Sequence, residues 1–162
     1  MFVDSHCHLN FPPYAETLDQ IRAEMHECGV DRALCISTTL EEFPQVHALA
    51  MRFDNFWATV GVHPDNEGIQ EPTLQDLLER AKLPRVVGIG ETGLDYYRLG
   101  ERTMADMAWQ RERFRVHIRA ARACGLPLVV HTRSASEDTL AVLREEIQRT
   151  LPTKIIVPPS NT

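Results

Sequence analysis

Five side chains able to bind a metal or move a proton recur near the ends of short apolar runs: His6, His8, His63, Glu91 and His131. His6 and His8 flank Cys7, and residues two apart on a strand point to the same face. Two imidazoles can therefore chelate one ion while Cys7 points away. Glu91 lies in Gly88-Ile89-Gly90-Glu91-Thr92-Gly93-Leu94-Asp95-Tyr96, where glycines let backbone or ligand come close to the carboxylate. Two carboxylate oxygens can serve two cations, so Glu91 is the natural shared ligand and the candidate catalytic group. Histidine with carboxylate suits Zn, Mn, Fe or Ni better than Mg. His63 in Gly61-Val62-His63-Pro64 is a substrate contact or a residue that positions its loop. Arg133, two residues past His131, can meet a phosphate with two parallel N–H donors, or is a solvated rim arginine. Asp95 falls past the rim, where it supports a ligand or caps a loop.

These residues need strands that end on one side of a sheet, and the apolar periodicity supplies them. Runs at Phe2–His8, Arg32–Ser37, Phe56–Val62, Val86–Leu94 and Leu126–His131 alternate with amphipathic stretches, and Lys154–Val157 begins a sixth run. This is the pattern of βα units around a parallel sheet. Tyr14, Leu18, Ile21 and Met25 share one helical face ahead of Gly29, a C-terminal cap residue. Thr39 with Glu42 reads as a capping box before Phe43, Val46 and Phe53. Further helices are expected from Leu74 to Ala81, from about Met104 to Ala123 and from about Ser136 to Arg149. The strand starts recur about every 30 residues, the spacing of βα units. Eight such units approach the roughly 250 residues of a TIM barrel, whereas a doubly wound five-strand sheet fits 162 residues more closely. The candidate ligands favour the barrel, because all of them fall at carboxyl ends of strands, where barrels gather catalytic groups from several strands.

Composition limits the alternatives. With 43% apolar and 25% charged residues the chain is of ordinary globular type, able to form one core. No run is long enough to span a bilayer, and Asp4 stands where a signal peptide carries basic residues, so a cytoplasmic location without membrane contact is expected. Cys7, Cys28, Cys35 and Cys124 show no paired spacing and are expected as free thiols. A net charge of −6 gives no global attraction to polyanions, so such a substrate needs local positive charge. Residues 98–122 carry seven arginines against three acids, and Arg111, Arg115, Arg119 and Arg122 form one helix face. That face is either solvated or a nucleic-acid track. His26, His47 and His117 fall inside expected helices and read as ordinary surface or core residues.

Four motifs, VDSHCHL, GVHP, GETGLDYY and VVHTR, in this order and spacing, resemble the TatD-like metal-dependent hydrolases. The resemblance extends from residue 1 to about residue 150. It implies a TIM (β/α)8 barrel, a centre of two divalent ions (Mg, Mn or Zn) and hydrolysis of phosphodiester bonds, often as a deoxyribonuclease acting on DNA ends. By resemblance His6, His8 and Glu91 hold one ion, and Glu91 and His131 share the other. His63 matches a motif histidine beside the site.

The resemblance also implies a histidine after the sixth strand and an aspartate on the eighth, and neither has a counterpart in this sequence. The expectation is an incomplete barrel over residues 1–157, about five βα units and the start of a sixth strand, with 158–162 as a short tail outside the family pattern. Impaired catalysis and exposed sheet edges follow from that expectation. The alternatives are an inactive fragment or metal-binding remnant, and an amidohydrolase-type enzyme cleaving C–N or lactone bonds. Many amidohydrolases place a carboxylated lysine on the fourth strand, where this chain has Glu91, which favours phosphodiester cleavage.

Overall fold

The computed structural model describes residues 1–12, 14–148 and 155–156. Its elements alternate along the chain as β1 (Phe2–Cys7), α1 (Leu18–Glu27), β2 (Val30–Cys35), α2 (Phe43–Arg52), β3 (Phe56–Val60), α3 (Leu74–Ala81), β4 (Val86–Asp95), α4 (Ala108–Cys124), β5 (Leu128–Arg133), α5 (Ser136–Gln148) and β6 (Ile155–Ile156). Short 3-10 turns at Tyr14–Glu16 and Ala105–Met107 precede α1 and α4. The ends expected at Arg149, Lys154 and Val157, and the tail 158–162, lie outside the described residues.

Sheet order decides the architecture. The six strands run in sequence order β1-β2-β3-β4-β5-β6, and every pair is parallel. A doubly wound sheet would reverse direction at a switch point. Sequential order instead keeps the helices on one face, because parallel crossovers are as a rule right-handed, as in an incomplete barrel. The free edge of β1 has no partner among the described residues, and Phe2 and Val3 there are 69% and 58% exposed.

β4 is the central element. Nine of its ten residues are buried, as expected for a parallel strand covered on both faces. Ile89, Leu94, Phe114, Ile118, Leu128 and Val142 belong to the larger core against α4 and α5, while Leu18, Val46, Phe53 and Phe56 centre a smaller core under α1 and α2. The glycines around Glu91 serve this packing. Gly90 and Gly93 have φ of +136° and +139°. A Cβ on Gly90 would come within 2.5 Å of the Val129 carbonyl oxygen, and one on Gly93 would strike the His131 carbonyl. They let β4 press against β5, so of the two expected neighbours, backbone or ligand, it is backbone that comes close beside Glu91.

Two local expectations change. Thr39 Oγ1 accepts from Glu42 N (3.0 Å), but the Glu42 carboxylate accepts from Thr38 Oγ1 (2.5 Å), so only half of the capping box forms. The full box is at Thr73, whose hydroxyl accepts from Asp76 N while Asp76 Oδ2 accepts from Thr73 N. The arginine face of α4 is not a bare solvated surface either. Arg111 pairs with Asp138, Arg115 with Glu145, and Arg119 and Arg122 with Glu146. Charge on α4 is thus spent in holding α5.

Candidate metal centre

The carboxyl ends of β1, β3, β4 and β5 bring four imidazoles around one carboxylate. Glu91 is 5% exposed and central. Its Oε2 lies 3.1 Å from His6 Nε2, and its Oε1 lies 3.2 Å from His131 Nδ1 and 4.0 Å from His63 Nε2. Two groups of ligand-capable atoms result, His6 with His8 and Glu91, and His63 with Glu91 and His131, each within 4.8 Å. Glu91 belongs to both.

Outer hydrogen bonds orient these rings. His8 Nδ1 meets the Ile36 carbonyl oxygen (3.2 Å), so this nitrogen carries the proton and Nε2 keeps its lone pair. His131 Nε2 donates to Asp95 Oδ2 (2.9 Å), which leaves Nδ1 toward Glu91. Carboxylates and backbone carbonyls behind histidines are the usual supports of metal ligands. Asp95 also accepts from Tyr97 N at Oδ1 (2.9 Å), so it orients the His131 ring and caps a loop at once. His6 Nδ1 is buried without a hydrogen-bond partner. Nitrogens of His6, His8 and His131 beside the Glu91 carboxylate are donors of a kind that fits a divalent cation.

Electrostatics agree with that fit. Burial alone would raise the Glu91 pKa, but hydrogen bonds from His131 and His6 hold it well below the usual carboxylate range. Burial of His131 opposes its protonation, yet the hydrogen bonds and charges of Glu91 and Asp95 prevail and raise its pKa. A proton on His131 therefore stands where a cation would be stabilised by the same acids. Desolvation lowers the pKa of His8, with the His6 charge adding to it. His63, desolvated beside these groups, is pushed down to about 4.

His63 enters the cluster through a buried polar seam on α4 that the sequence reading missed. Arg113, 3% exposed, donates from Nη1 to the carbonyl oxygens of His63 (2.9 Å) and Asn66 (2.8 Å), and its other guanidinium nitrogens clasp Glu71. Gln110 accepts from Asp95 N (2.9 Å) and donates to Pro64 O (3.0 Å). His117 accepts from Val62 N at Nε2 (3.0 Å) and donates from Nδ1 to Arg113 O (2.8 Å). One helix face thus holds the exits of β3 and β4. The spacing of 110, 113 and 117 on one face was the available signal. Arg133 stays at the rim, its guanidinium 3.6 Å from the centre of the Tyr97 ring. His26 remains at the surface near Asp31, and His47 bonds the Pro84 carbonyl.

Residues 3–157 match the family of TatD related DNases. The chain belongs to the TatD family. Among TatD relatives, it is 39% identical over 148 residues to the uncharacterized metal-dependent hydrolase YcfH of Escherichia coli K12, covering 89% of this chain and 54% of YcfH. It is 35% identical over 136 residues to the 3′-5′ ssDNA/RNA exonuclease TatD of Enterobacter lignolyticus, covering 83% of this chain and 51% of that protein. The crystal structure of YJJV, a TatD homolog from Escherichia coli K12, superposes with a TM-score of 0.80 at 26% identity, over 90% of this chain and 56% of YJJV. The chain spans about half the length of the curated TatD relatives it matches. YcfH is named as a metal-dependent hydrolase, and the His and Glu clusters of this chain could hold a metal ion. No helix among the described residues is long and apolar enough to cross a membrane.

Proposed function

We propose that this site belongs to a phosphodiester hydrolase of deoxyribonuclease type, acting on DNA or another phosphodiester with two divalent ions, Mg, Mn or Zn. The observation that carries the reading is Glu91, whose two oxygens face different histidines (3.1 and 3.2 Å) in two clusters that share it. His6, His8 and Glu91 would hold one ion, and Glu91 with His131 the other. Bound there, divalent ions supply positive charge to phosphoryl oxygens and lower the pKa of a water. Residues 1–157 are the proposed unit, with 158–162 outside it, and the cytoplasm is the proposed setting for its free thiols.

The chain's own groups have separable tasks. Asp95 keeps the His131 proton on Nε2, so that Nδ1 faces Glu91. His63 Nδ1 accepts from Asp65 N (3.1 Å), so the neutral ring carries its proton on Nε2. That proton points into the cluster, which makes His63 a donor to a substrate oxygen and not a ligand. Arg133 offers its guanidinium edge to a phosphate at the rim.

Chelator-controlled assays on a single-stranded oligonucleotide and on a simple phosphodiester test the proposal, with amides and lactones as rivals. Slow metal-dependent phosphodiester cleavage, impaired as the sequence leads one to expect and abolished by Glu91→Ala, is the expected result. Cleavage of an amide or lactone with phosphodiesters untouched would overturn it in favour of an amidohydrolase.

A further inference from the structure

Tyr97 is an exposed aromatic at the mouth of the site that the roles above leave unused. It lies two residues past Asp95, the last residue of the buried β4, yet it is 60% exposed. Its position is tied to the cluster through one carboxylate, because Asp95 Oδ1 accepts from Tyr97 N while Asp95 Oδ2 accepts from His131 Nε2. Arg133 sits on the neighbouring strand, where Asp95 is paired in register with Arg133, and its guanidinium covers one face of the Tyr97 ring at 3.6 Å. The exposure of the residue leaves the opposite face to solvent.

Charge bookkeeping separates Arg133 from the other arginines near the site. All seven arginines of residues 98–122 lie in ion pairs with acids: Arg98 with Asp65, Arg102 with Glu67, Arg113 with Glu71, and the others with acids of α4 and α5. Arg133 is exposed and has no acidic partner among the described residues. A guanidinium stacked flat on a ring keeps its N–H edge free for an anion, and it polarises the ring that it covers.

We propose that Tyr97, backed by Arg133, is a stacking platform for the nucleobase next to the phosphate held at the metal centre. The proposal rests on the phosphodiester reading of the centre. Stacking on an aromatic accepts any base, because each base has a π face, and it requires the base to be unpaired. The platform thus selects strand form over sequence.

The test is fluorescence anisotropy on the full 162-residue chain in Mn2+, with a labelled oligothymidylate and an abasic strand of equal length, both with phosphorothioate linkages that resist cleavage. The base-bearing strand should bind more tightly by roughly fivefold or more. Tyr97→Phe should keep that preference, Tyr97→Ala should erase it, and Arg133→Ala should weaken both strands and reduce the preference. Equal binding of the two strands, binding of neither, or a preference that survives Tyr97→Ala would overturn the platform. Cleavage of a simple phosphodiester without base preference sinks the platform alone, and base preference without any cleavage sinks the hydrolase reading alone.

Discussion

At the level of single residues, Glu91 and His131 do the decisive work. Glu91 stays ionised because imidazoles surround it, and His131 attracts a proton because two acids face it. A cation must displace that proton, so metal affinity is expected to fall on acidification, starting above the ordinary histidine value of 6.5 because the shift is upward. Calorimetric titration of Mn or Zn at several pH values should show proton release that grows as pH falls toward that range. Asp95→Asn should lower the pH at which affinity is lost, since one of the acids that raises His131 is removed, while weakening metal binding roughly tenfold or more. Unchanged affinity in that variant would show that Asp95 does not orient the ligand.

At the level of elements, α4 holds two loops of the site from behind. Gln110 is 2% exposed and serves Asp95 and Pro64. Gln110→Ala leaves a buried N–H and a carbonyl without partners, which should destabilise the fold by about 2 kcal/mol. A denaturant midpoint unchanged by that substitution would contradict the seam. His117 adds a pH dependence of its own. Burial, with the Arg113 charge adding to it, pushes its pKa down to about 4, and the neutral ring accepts from Val62 N. The folded pKa lies below the unfolded value of about 6.5, so the stabilisation is whole above 6.5 and is lost as pH falls toward 4. The loss is about 3 kcal/mol at most, and thermal melts from pH 7 to 4 should show it reduced in His117→Gln.

At the level of the whole molecule, the sheet is open. Phe2 and Val3 lie exposed on a β1 edge that nothing pairs among the described residues. An unpaired apolar edge templates association with another chain. Sedimentation of the chain by itself should therefore show concentration-dependent self-association that Val3→Lys reduces. A sharp monomer at every concentration would contradict this. The same openness sets the sequential βα order in relief, since it is the half-turn of a barrel that brings β1, β3, β4 and β5 ends within ligand distance.

The strand-end histidines and Glu91 were legible in the sequence because strand alternation and strand termini are local properties, and a parallel sheet puts all carboxyl ends on one side. The βα repeat is common to barrel and doubly wound sheet, so the position of the candidate ligands favoured the barrel and strand pairing bears it out. The arginine run read as a surface because its acidic partners on α5 are some 27 to 30 residues away for Arg111, Arg115 and Arg119. Gln110, Arg113 and His117 were silent for the same reason. Their partners at residues 62 to 66 are 46 to 55 positions distant, and a helix period shows which residues share a face but not what that face meets. Residue types and strand patterning therefore carried the candidate ligands, their strand ends and the family pattern. Packing decided what each ring nitrogen meets, that both histidine clusters include Glu91, and that Tyr97 meets Arg133, because hydrogen-bond direction and cross-strand contact exist only once distant segments are packed.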